Sequence, residues 1–185
     1  MKNLGKLFLT ALLLGVFSHP TWSADCLDPA GTTFYLVRHA EKESGADPVL
    51  TTEGQARAEA LRQVLARTPL AGVHVTQWQR TQLTAKPIAT ERDLTMQVHS
   101  TASIDLEEHI QSLVDALVSQ HCGENVLVVG HSNTVPRIIN GLAGLTMPDL
   151  DERDYDNFYQ VRIRPEGSAE VIRTRFGAVN HATSD

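Results

Sequence analysis

Thr33-Phe34-Tyr35-Leu36-Val37-Arg38-His39-Ala40 is the stretch from which the fold can be read. Its first five residues are apolar or β-prone and carry no charge, as in a short strand buried within a sheet. The run then ends abruptly on Arg38-His39, a strongly polar pair at a strand end.

Downstream, Thr51-Thr52-Glu53-Gly54-Gln55 reads as a helix start, with Thr52 and Gln55 at capping-box spacing. Ala58, Leu61, Val64 and Leu65 continue one apolar face of that helix until Pro69. Residues 72–76 (GVHVT) and 95–99 (TMQVH) predict two further strands, with a weaker helix over 80–90 between them in which Pro87 is expected to kink or end a turn. Ile110, Leu113, Val114, Leu117 and Val118 fall at helical spacing, predicting a helix over 107–120 that Gly123 follows as a stop. Residues 125–129 (NVLVV) are a second buried strand, followed by a short helix over 135–142. Residues 158–163 and 170–175 alternate around Pro165-Glu166-Gly167, which predicts a closing hairpin. No internal repeat, low-complexity tract or long linker interrupts this order.

Alternating strands and helices imply an α/β fold: a mostly parallel central sheet with helices on both faces (three layers, α/β/α) and a C-terminal β-hairpin. In such folds the site lies where strands end and loops enter helices. Arg38-His39 is one such end, Arg80 stands near a second, and Gly130-His131-Ser132-Asn133 forms a third. Two arginines and two histidines can therefore converge on one sheet edge. A histidine nucleophile needs an unprotonated nitrogen facing phosphorus, and fixed positive charge around the non-bridging oxygens. Arginine meets the second need because its planar fork binds two phosphate oxygens at once.

The amino terminus bears on the compartment. Lys2 and Lys6, an uncharged apolar stretch from Leu7 to Phe17, and a more polar segment to Ala24 form the three-part layout of a secretory signal peptide. Residues 1–24 are read as that leader and residues 25–185 as a single catalytic domain, periplasmic or secreted. The formal net charge is −6, and loss of the two leader lysines leaves the remainder more acidic still. This charge argues against a general binder of nucleic acid or anionic membrane, so any anion site must be a local exception. No stable membrane span is expected after processing, and nothing specifies an oligomeric state.

Leu36-Val37-Arg38-His39-Ala40-Glu41-Lys42, Trp78-Gln79-Arg80-Thr81-Gln82-Leu83-Thr84-Ala85 and Val129-Gly130-His131-Ser132-Asn133 resemble, in that order, the motifs of the histidine phosphatase (phosphoglycerate mutase-like) superfamily, in a small exported branch-1 type. The resemblance implies that His39 attacks phosphorus and becomes phosphohistidine, with Arg38, Arg80 and His131 holding the phosphoryl oxygens. Ser132 and Asn133 complete the phosphate pocket. Neither metal nor other cofactor is implied. Ala40 stands where the family usually has glycine, a small change that should still fit. The general acid is expected on the segment after the third strand, with Glu107 favoured and Asp105, Glu108 and Glu41 as rivals. The implied substrate is a small phosphate ester or an envelope sugar phosphate.

Two other functions remain open at this level. Gly130-His131-Ser132-Asn133-Thr134 begins like a nucleophile elbow, which would make Ser132 a serine hydrolase nucleophile, although Thr134 replaces the second glycine. A phosphate-ester binding protein without turnover is the non-enzymatic alternative. His74, His99, His109, His121 and His181 read as surface or core residues. Cys26 precedes the first strand and Cys122 the fourth. These strands are neighbours in the family fold, so a Cys26–Cys122 disulfide is expected.

Overall fold

The fold comes from a computed structural model that describes residues 31–101 and 105–180. The expected leader, Cys26, and His181 lie outside the described residues. The elements run β1 (Thr32–Arg38), α1 (Thr52–Val64), β2 (Leu70–Thr76), α2 (Gln79–Glu91), β3 (Met96–His99), α3 (Leu106–Gln120), β4 (Asn125–Gly130), α4 (Thr134–Ala143), β5 (Asn157–Ile163) and β6 (Ala169–Arg175). They form one six-stranded sheet in the order β3-β2-β4-β1-β5-β6. Strands β3, β2, β4 and β1 are parallel, while β5 and β6 add an antiparallel hairpin at the β1 edge. The expected α/β architecture is the one observed.

Alternation along the strands builds two cores. Val126 and Val128 of β4 face Ile110, Leu113, Val114 and Leu117 of α3 and Val135, Ile138 and Ile139 of α4. Leu127 and Val129 face the opposite side, with Leu61 of α1 and Ala85 and Ile88 of α2. Burial of both faces explains why β1 and β4 read as continuous apolar runs.

Two local expectations need correction. The α1 cap is Thr51, not Thr52: Thr51 is extended (φ −68°, ψ 175°), and its hydroxyl accepts from the Gly54 N–H at 3.1 Å. Pro87 does not end α2, which continues to Glu91. Buried Ala85, Ile88 and Ala89 hold that face against the sheet, and this packing offsets the donor that proline lacks.

Register positions the site. Parallel pairing sets Arg38 opposite Gly130, and the His39 N–H continues it by donating to the Gly130 carbonyl at 2.9 Å. His39 and His131 therefore leave the sheet side by side. Thr76 ends β2 beside them, because β2 pairs with β4 through Val75 and Val129. Gly130 is required where the chain turns into α4: a Cβ there would lie 2.6 Å from Thr134 Oγ1, which accepts from the His131 N–H at 2.8 Å.

Candidate active site

A cavity of about 560 Å³ opens at this sheet edge, lined among others by Arg38, His39, Arg80, His131, Ser132 and Asn133. The three strand-end motifs thus meet at one place. Each arrives by a different element: His39 just past β1, Arg80 in the first turn of α2, and His131 in the turn before α4.

His39 is 3% exposed. Its Nδ1 lies 2.8 Å from the Ala40 carbonyl oxygen. A carbonyl can only accept, so Nδ1 carries the proton and Nε2 holds the free lone pair. Burial lowers the imidazole pKa from its ordinary value of 6.5 to about 2; the Ala40 hydrogen bond opposes the shift, and Arg38, His131 and Arg80 reinforce it. The ring is therefore neutral at any physiological pH. Ala40 is fully buried beside Leu50 and Ala58, so the methyl group in place of glycine does fit. Its N–H donates to Thr84 Oγ1 at 2.9 Å, tying the loop after β1 to α2.

Arg38 is 1% exposed. Its Nη1 donates to the Asp151 carbonyl at 3.0 Å, and its guanidinium stacks 4.2 Å from the Tyr155 ring centroid. Its Nη2 donates to Glu152 Oε2 at 2.7 Å. Arg80 differs: its guanidinium lies 4.9 Å over Trp78 and makes no hydrogen bond to any described residue, and its buried Nε is unpartnered among them. Such a cation at a cavity wall is a ready anion ligand. His131 Nε2 is 3.0 Å from Thr76 Oγ1. Burial, then Arg80 and Arg38, lower its pKa to about 4. The ring stands edge-on to His39, with centroids 5.4 Å apart. Asn133 occupies the α4 cap position without using its side chain as a cap.

The structure does not bring Glu107 into the cavity wall. Its carboxylate, 73% exposed, accepts from Arg137 at 3.0 Å, and Arg137 also reaches Asp149 at 3.5 Å. Leu106 lines the cavity, but Glu107, one residue further along α3, turns to the neighbouring helix. The rivals fare no better. Asp105 caps α3, Glu108 is exposed, and Glu41 is held by Arg57 Nη2 at 2.7 Å and Asn180 Nδ2 at 2.8 Å. Asp149 and Glu152, from the loop after α4, are the carboxylates that do line the cavity. Lys42 lines it too. Sequence reading missed this loop because its acidic run has no periodicity and reads as solvated surface.

The family model of the histidine phosphatase superfamily (branch 1) matches residues 34–102, the segment that carries Arg38, His39 and Arg80. The fold is that of the histidine phosphatases. A mycobacterial glucosyl-3-phosphoglycerate phosphatase is similar with a TM-score of 0.62 at 13% identity, over 75% of this chain and 96% of that one. A putative alpha-ribazole-5'-P phosphatase from Escherichia coli is similar with a TM-score of 0.61 at 18% identity, over 83% of this chain and 100% of that one. The protein histidine phosphatase SixA, in complex with tungstate, is similar with a TM-score of 0.58 at 17% identity, over 77% and 96%. A search of curated proteins returned no match. In the histidine phosphatase fold seen here, the small chain adds no described helix long and apolar enough to cross a membrane.

Three of the histidines outside the cavity, His74, His99 and His121, are joined to one another. His74 Nδ1 meets His99 Nε2 at 2.8 Å, His74 Nε2 meets His121 Nε2 at 2.8 Å, and His121 Nδ1 meets Glu124 Oε2 at 2.6 Å. This chain joins β3, β2 and the turn before β4. No short-range spacing announces it, because its members come together only through strand pairing.

Proposed function

We propose that this protein is an exported phosphatase that hydrolyses phosphate monoesters through a phosphohistidine on His39. The observation that carries the reading is a neutral His39, its Nε2 lone pair free, in a cavity with Arg38, Arg80 and His131. In the first step Nε2 bonds to phosphorus as the ester P–O bond breaks and the leaving oxygen takes a proton from solvent water. In the second, water oxygen bonds to phosphorus, the N–P bond breaks, and phosphate leaves with the water's remaining proton shared out to solvent or a base. Arg38 and Arg80 neutralise charge on the transferring oxygens in both steps, and the neutral His131 ring adds a polar contact. Ser132, Asn133 and the amino terminus of α4 add polar contacts. Substrates in keeping with the open cavity are small phosphate esters, including an envelope sugar phosphate.

The alternatives have less support. Ser132 Oγ donates to Glu152 Oε1 at 2.8 Å, so among the described residues it lacks the histidine partner that a serine hydrolase triad requires. The phosphate-binding reading without turnover predicts phosphate affinity and no product. The deciding experiment measures phosphate release from an aryl phosphate by the purified 25–185 protein with a chelator present. Release that is abolished in a folded His39→Ala variant supports the phosphohistidine route; full activity in that variant rejects it.

A further inference from the structure

Glu152 occupies donors that a phosphoryl group would use. Its Oε2 takes Arg38 Nη2 at 2.7 Å and its Oε1 takes Ser132 Oγ at 2.8 Å, so both carboxylate oxygens are engaged inside the cavity. Of the other Arg38 donors, Nη1 goes to the Asp151 carbonyl and Nε is buried without a partner among the described residues. Nη2 is thus a terminal donor of Arg38 that Glu152 already takes. The tether is light, because the Glu152 side chain is 80% exposed. An ion pair with one solvated member is weak and exchangeable.

We propose that Glu152 is an intramolecular occupant of the phosphoryl site, a carboxylate that an incoming phosphate monoester must displace from Arg38 and Ser132. The inference rests on the phosphatase reading of the cavity. A carboxylate or a phosphate diester exchanges one negative charge for another at Arg38 and gains little. A monoester brings a second charge and a third oxygen, which Arg80 and His131 can hold while Glu152 cannot. Once displaced, Glu152 faces a bound dianion and is repelled toward solvent, which its exposure permits.

The test measures binding of sulfate, a tetrahedral dianion whose charge is constant over neutral pH, by calorimetry on the wild type, Glu152→Gln and Glu152→Asp. Gln removes the competing charge, and the shorter Asp cannot span Arg38 and Ser132. Both variants are expected to bind sulfate about three- to tenfold more tightly than the wild type, as removal of a weak competitor implies. Equal or weaker sulfate binding in both variants overturns the inference. So does a hundredfold loss of turnover in Glu152→Gln without any change in sulfate affinity, which would assign the residue to proton transfer. Failure of sulfate to bind any form overturns the phosphoryl-site reading itself, a different result.

Discussion

His39 Nδ1 and the Ala40 carbonyl oxygen stand 2.8 Å apart, and this single hydrogen bond leaves Nε2 as the ring nitrogen with a free lone pair. Because the acceptor belongs to the next residue and Ala40 is pinned to Thr84, the ring cannot turn without breaking the loop's own contacts. A phosphoryl group trapped by rapid quench should reside on Nε2. Phosphorus–nitrogen correlation NMR on labelled protein distinguishes the two positions, and an adduct on Nδ1 would contradict the tautomer assigned here.

Arg80 and Arg38 should separate function from stability. Arg80 gives no hydrogen bond to any described residue, so Arg80→Ala is expected to leave stability within about 0.5 kcal/mol. It should lower kcat/KM on an aryl phosphate by about 10²–10³, the usual effect of removing one transition-state donor. Arg38→Ala should show a similar kinetic loss and also destabilise by about 1–3 kcal/mol, since it leaves the Asp151 carbonyl without its donor and empties a buried site. Denaturant melts beside steady-state kinetics make the comparison. A marked loss of stability in Arg80→Ala would mean that its role is structural.

Acid should destabilise the protein through its buried histidines. The folded values for His131, His74 and His39 are lowered to about 4, about 3 and about 2, burial being the first cause in each case, against 6.5 unfolded. A base whose folded pKa is depressed contributes stability that is present above its unfolded value and is lost as pH falls toward the folded one. Unfolding free energy should therefore decline from about pH 6.5 downward, with each such histidine adding up to about 1.4 kcal/mol per pH unit. His74→Gln should make the slope shallower. A flat profile between pH 6.5 and 4 in urea melts would show that these rings are not held neutral.

Glu107→Gln tests the residue that the family resemblance favours as general acid. Since its carboxylate turns to Arg137, the substitution should reduce kcat on a poor alkyl leaving group by less than about threefold, well short of the usual general-acid effect. A drop of a hundredfold for alkyl but not aryl substrates would restore it to that role.

The cysteine pairing is a separate expectation. With β1 and β4 adjacent, a Cys26–Cys122 bridge would close a long loop and stabilise by on the order of 4 kcal/mol. Protein prepared under oxidising conditions should show no reactive thiol before reduction and two after it. Two thiols in the native protein would refute the bridge.

Much of this molecule is written locally. Residues 33–37 and 125–129 are apolar runs that can only be buried strands in a domain this small, and their alternation with helices leaves few arrangements besides a parallel sheet. That sheet in turn commits Arg38-His39 and Gly130-His131 to one edge. Sequence therefore determined the architecture and the two arginines and two histidines of the cavity. Tertiary structure alone decided what surrounds them: the irregular loop after α4 folds back to hold Arg38 through Asp151, Glu152 and Tyr155, more than a hundred residues away in sequence. It also turned Glu107 outward and aligned His99, His74 and His121, since contacts between residues distant in the chain depend on strand order and loop path, which no local spacing encodes.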